Sequence, residues 1–66
     1  MKIYLNGDAR DVPDNYTAAQ LVEELGLAGK RIAMEVNMEI VPRSGYQDHP
    51  LQQDDKIEIV HAIGGG

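Results

Sequence analysis

The sequence closes on Ile63-Gly64-Gly65-Gly66, an apolar residue followed by three glycines and a carboxylate. Glycine lacks a Cβ, so such a stretch adopts backbone angles closed to other residues and lets another chain approach closely. A tail of this kind can thread a channel too narrow for side chains and present its carboxylate inside a partner's active site. A carboxylate is a poor electrophile, but joined to AMP as a mixed anhydride it becomes a good one. Chain ends are also commonly disordered without any function. The meaning of the tail therefore depends on what carries it.

No other constellation in the chain supports chemistry of its own. There is no cysteine, which excludes disulfides, thiolate metal sites, persulfide carriage and cysteine nucleophiles. Gly26-Leu27-Ala28-Gly29-Lys30 superficially suggests a phosphate-binding loop. That motif needs a further glycine five residues before the Gly-Lys glycine and Ser or Thr after the lysine; those places hold Glu24 and Arg31. His49 and His61 fall on different predicted elements, and Asp48 beside His49 is not at ligand spacing. Ser44 and Thr17 have no histidine at motif spacing. The residues describe a substrate or carrier, acted on by others, and no intrinsic catalyst, bound cofactor or metal site is expected.

Sixty-six residues make one domain, expected to span 1–66 with 63–66 as a flexible glycine tail. Six basic residues against eleven acidic ones give a net charge of −5, which repels phosphate backbones and argues against a nucleic-acid partner. No apolar run approaches the roughly 18 residues of a membrane-spanning helix, and the N-terminus lacks a signal-peptide pattern. Absence of cysteine fits a cytoplasmic protein.

The elements that must hold the tail are legible in the hydrophobic period. Residues 1–5 alternate with Met1, Ile3 and Leu5 on one face of a strand. Asn6-Gly7 is a strong signal for a type I′ hairpin turn, and a second strand follows over residues 9–12. Thr17 with Gln20 three residues on makes a capping box. Ala18, Leu21, Val22 and Leu25 share one face of the short helix that follows, and Gly26 suits its left-handed terminus. Further strands are expected at 31–36, at 39–42, briefly around Leu51, and at 56–62. Asp54-Asp55 reads as a solvated turn. The order β-β-α-β-β-β implies an α+β fold in which one helix covers one face of a mixed four- or five-stranded sheet, with the first and last strands central and adjacent. If Ile57 and Ile59 face the helix, Val60 and Ala62 face away, with Tyr4 on the corresponding side of the first strand. That uncovered face, leading straight into the tail, is a candidate partner surface.

Three segments together resemble the thiamine-biosynthesis sulfur carrier family, ThiS, of the ubiquitin-like β-grasp superfamily. They are Ile3-Tyr4-Leu5-Asn6-Gly7; Val36-Asn37-Met38-Glu39-Ile40-Val41-Pro42-Arg43 with Tyr46, His49 and Leu51 beyond it; and Asp55-Lys56-Ile57-Glu58-Ile59-Val60 running into the glycines. Met38 stands where the family often has Gly, and Tyr46 where Trp is frequent. The resemblance implies that a ThiF-type adenylating enzyme uses ATP and Mg to activate the Gly66 carboxylate. Sulfur from a donor such as a cysteine desulfurase then displaces AMP to leave a thiocarboxylate, which a ThiG-type thiazole synthase accepts. Related readings are a carrier of the molybdopterin synthase small-subunit type and a ubiquitin-like protein modifier.

Overall fold

The computed structural model describes residues 1–62; the expected glycine tail at 63–66 lies outside the described residues. The chain runs β1 (Lys2–Leu5), β2 (Asp8–Asp11), α1 (Ala18–Glu24), β3 (Ile32–Val36), β4 (Glu39–Val41), a 3₁₀ helix (Arg43–Asp48) and β5 (Lys56–His61). The strands form one five-stranded sheet in the order β2-β1-β5-β3-β4. β5 pairs parallel with β1 and antiparallel with β3, while β1–β2 and β3–β4 are antiparallel hairpins. This is the ubiquitin-like β-grasp arrangement, with the first and last strands adjacent as the sequence implies.

One face of the sheet is closed by α1. Thr17 and Gln20 form the reciprocal capping box: Gln20 N donates to Thr17 Oγ1 at 3.2 Å and Thr17 N to Gln20 Oε1 at 2.8 Å. Seven residues are too few to hold a helix in water unaided. Tertiary packing supplies the rest: Ala18, Leu21 and Val22 bury themselves in one cluster with Ile3, Met34, Ile57 and Ile59. Each fully buried aliphatic side chain contributes on the order of 1.5–3 kcal/mol. Tyr16 closes one end of this layer, its hydroxyl donating to Glu24 Oε2. Burial, reinforced by that bond, pushes the phenol up to about 12. Tyr46, from the 3₁₀ helix, is also buried in the core.

Two readings change. Leu51 is buried but forms no strand. Its backbone pairs with the helix entrance, through the Thr17–Pro50 bridge, Ala18 N to His49 O at 2.9 Å and Leu51 N to Tyr16 O at 2.8 Å. The backbone enters α1 immediately afterwards, so no ladder can propagate. Asp55 is not solvated: it is buried, accepting from Gln52 N at 2.8 Å and Asn37 Nδ2 at 2.9 Å.

Among the described residues five non-glycine residues have positive φ, and four of them are Asn or Asp, which tolerate that region. The fifth is Met38, at φ +70°, paired with Asn37 at +52° in the β3–β4 turn and 88 % exposed. Its side chain gains nothing from burial while its backbone carries the steric penalty of an L-residue. Met38→Gly is expected to stabilise the domain by about 1 kcal/mol, read as a higher urea midpoint with an unchanged slope.

Candidate functional site

The expected tail follows β5 in the sequence, so the site begins with what fixes that strand. Its inward residues Ile57 and Ile59 are buried, whereas Lys56, Glu58 and Val60 are exposed. A strand with one face in the core cannot slip by a single residue without exposing that whole set. Its entrance is also pinned. Asn37 N donates to Lys56 O at 2.8 Å, and Asn37 Oδ1 accepts from Lys56 N at 3.0 Å. Asp55 in turn holds the Asn37 amide nitrogen, so the buried carboxylate orients the group that starts the strand.

On the β1 side, β5 outruns its partner: the pairing ends at Leu5↔Ile57. The Asn6 side chain then takes the place of a further strand residue. Ile59 N donates to Asn6 Oδ1 at 2.9 Å, and Asn6 Nδ2 donates to Ile59 O at 3.2 Å. One asparagine thus makes the hairpin turn and supports the outgoing strand two residues from its end. On the other side the β3 ladder reaches Ile32↔His61, and Ala62 N still donates to Arg31 O at 3.0 Å.

The face of the sheet away from α1 is open. Val60 is 60 % exposed and sits opposite Ala33; Ala62, two residues on, is exposed as well. These are two of the three residues expected on a partner surface. Tyr4 shares the face but not the neighbourhood. It is half-buried and paired with Lys56, four residues from Val60, or about 13 Å along the strand. The Lys2 ammonium lies 5.4 Å from the centre of its ring, and a groove of about 430 Å³ runs from Tyr4 and Gly7 to Met38. Ile40, 76 % exposed, is a member of the open face that the sequence reading passes over. Two adjacent apolar residues, Ile40 and Val41, carry no alternation to tell them apart; the structure buries Val41, so its neighbour in the strand points outward. Glu35 and Glu58 stand directly opposite each other at the centre of this face.

The expected tail residues Ile63, Gly64, Gly65 and Gly66 lie outside the described residues. Among the described residues no three His, Cys, Asp or Glu side chains are placed to hold a metal ion. No helix among them is long and apolar enough to cross a membrane.

Residues 3–66 match the model of the ThiS family. The chain is 37% identical to the sulfur carrier protein ThiS of Bacillus subtilis, over 97% of this chain and 98% of that one. It is 42% identical to a thiazole synthase of Paramagnetospirillum magneticum over its whole length, and it spans one fifth of that relative (20%). The crystal structure of the thiamine biosynthesis protein ThiS from Geobacter metallireducens superposes with a TM-score of 0.86, covering 100% of both chains at 23% identity, a likeness of fold.

The support of β5 by Asn6 can be tested separately from the turn it occupies. Asn6→Gly keeps a residue suited to φ +49° but removes the amide, leaving two partly buried backbone groups of Ile59 without protein partners. A loss of about 1–3 kcal/mol is expected, accompanied by faster hydrogen exchange at the Ile59 amide.

Proposed function

The chain belongs to the ThiS family, and from that premise we propose that it is a sulfur carrier of thiamine biosynthesis whose reactive group is the carboxylate of Gly66. The observation that carries this reading is the central strand β5, held on both edges and continuous in sequence with Ile63-Gly64-Gly65-Gly66. A ThiF-type adenylating enzyme would bring MgATP to the tail. A Gly66 carboxylate oxygen attacks the α-phosphorus, pyrophosphate leaves, and the acyl carbon becomes electrophilic. The terminal sulfur of a persulfide on a donor such as a cysteine desulfurase displaces AMP to give an acyl persulfide. A thiol of a partner protein then attacks the donor cysteine's sulfur, forming a disulfide with it and releasing the thiocarboxylate. That group is largely ionised at neutral pH and its sulfur is strongly nucleophilic, which suits transfer to a thiazole synthase. The relative named thiazole synthase, matched by the whole of this chain, supports that last partnership. With no cysteine in the sequence, sulfur has no other place to ride. The ATP and Mg belong to the partner enzyme.

Activation requires a free carboxylate on Gly66. A chain extended past that residue should fold normally yet fail to drive ATP–pyrophosphate exchange by the adenylating enzyme; exchange at the wild-type rate would remove Gly66 as the reactive group. Gly65→Val is expected to abolish the same exchange with an unchanged circular dichroism spectrum, because a Cβ branch meets the wall of a channel fitted to bare backbone.

Docking of the folded surface must accompany threading. Fixing each backbone residue costs about 1–2 kcal/mol, and contacts outside the tail must offset it. Val60 and Ala62 are the apolar residues nearest the tail on the open face, with Tyr4 at its far end. Val60→Asp should leave stability unchanged, since the side chain is exposed, and weaken binding to the adenylating enzyme by about 1–2 kcal/mol in a calorimetric titration. Unchanged affinity would take this face out of the interface.

A further inference from the structure

The positive charge of this acidic protein is unevenly placed. Of the six Lys and Arg residues, Lys30, Arg31 and Arg43 gather where β5 ends. Arg31 O accepts from Ala62 N at 3.0 Å, which sets Arg31 beside the last described residue before the tail. Lys30 precedes it, and the Arg43 guanidinium, arriving from the 3₁₀ helix, donates to the Lys30 carbonyl. All three side chains are exposed. Among the described residues none of them pairs with a carboxylate, whereas Arg10 is neutralised by Glu24 at 3.7 Å. Lys30 and Arg43 line a groove of about 240 Å³ on the helix side, whose one carboxylate is Glu23. Strand alternation carried one residue back from Ile32 puts Arg31 on the open side. The cations therefore flank the root of the tail on both sides of the sheet.

Lys2 and Lys56 form the contrasting group. Lys56 begins β5 and Ala62 follows its end, so these lysines sit about 20 Å away along the strand. On a surface of net charge −5, a cationic cluster at the end of β5 gives the molecule a charge asymmetry along that strand. Charges around the edge of an interface act mainly on the rate and orientation of encounter.

We infer that Lys30, Arg31 and Arg43 form a steering surface for an acidic rim around the channel that receives the glycine tail. The rim belongs to the enzyme that activates Gly66, and the inference rests on the carrier reading given above. A negatively charged mouth would repel the acidic surface away from this end, including the exposed Asp8 and Asp11 of the edge strand β2, and admit the chain only tail-first. Specificity of this kind combines an attractive element with a repulsive one.

The test uses the full-length chain, a ThiF-type adenylating enzyme and MgATP, with the concentration dependence of pyrophosphate exchange as readout. Lys30→Gln/Arg31→Gln/Arg43→Gln is expected to lower kcat/KM on the order of tenfold at low salt, through KM with kcat preserved. The deficit should shrink as the screening length falls from about 30 Å at 0.01 M to about 10 Å at 0.1 M salt. Lys30→Gln/Arg31→Gln, which keeps the Arg43 contact to the backbone, should show a smaller deficit of the same salt dependence and guards against a folding effect. Lys2→Gln/Lys56→Gln should match the wild type. Equal kcat/KM for wild type and triple variant would overturn the inference, as would an equal loss in the Lys2/Lys56 variant, which would reduce the effect to net charge. Wild-type chain that supports no exchange at all would fail the carrier reading itself and take this inference with it.

Discussion

Everything in this small domain converges on the two edges of one strand. On the carrier reading, β5 must lead out of the fold towards a partner, yet it must also be held firmly enough to give the residues that follow it a fixed origin. The sheet meets both demands by placing the C-terminal strand at the centre, parallel to β1 and antiparallel to β3. A strand in that position loses backbone hydrogen bonds on both sides if it detaches, besides uncovering Ile57 and Ile59. The cost is a long connection, because parallel neighbours cannot be joined by a tight turn. Most of the chain, including α1, serves as that connection, and in doing so it covers the core face of the sheet.

Side chains complete the strand where backbone pairing runs out. Asn37 and Asp55 fix its beginning, and Asn6 fixes Ile59 after β1 has turned away. Asparagine suits both turn positions for two reasons. It accepts the left-handed backbone, as the φ values of Asn6 and Asn37 show, and its amide carries a donor and an acceptor, enough to imitate a strand residue. The same residue type therefore solves the local problem of turning and the distant problem of holding β5. Met38 answers only the first, and with strain.

Much of this was legible in the residues. The Asn-Gly hairpin, the Thr17–Gln20 capping box, the helix stop at Gly26 and the inward set of each strand depend on local rules, and they fold as those rules dictate. What was not legible depends on neighbours that the sequence does not name. Leu51 has the apolar character of a strand residue, but whether it pairs is decided by how soon the chain across from it enters α1. Asp55 looks like any turn carboxylate until Asn37, eighteen residues away, is brought against it. The open face was partly read: Val60 and Ala62 lie together at the exit of the tail, while Tyr4 is carried to the far end by a strand register that no local pattern encodes. The clustering of Lys30, Arg31 and Arg43 is likewise a product of the β3–β5 pairing and of the path of the 3₁₀ helix.

The surface is therefore divided by role: a covered face for stability, an open face with Val60 and Ile40, and a cationic end from which the glycines continue. All three serve a carrier only if the terminus itself receives sulfur. The most direct measurement is the intact mass of the chain, with fragmentation of its C-terminus, after incubation with the adenylating enzyme, MgATP and a sulfur source. The account predicts the mass gain of one oxygen-to-sulfur exchange, confined to Gly66. An unchanged chain, sulfur located elsewhere, or adducts joining Gly66 to lysines of other chains would contradict it.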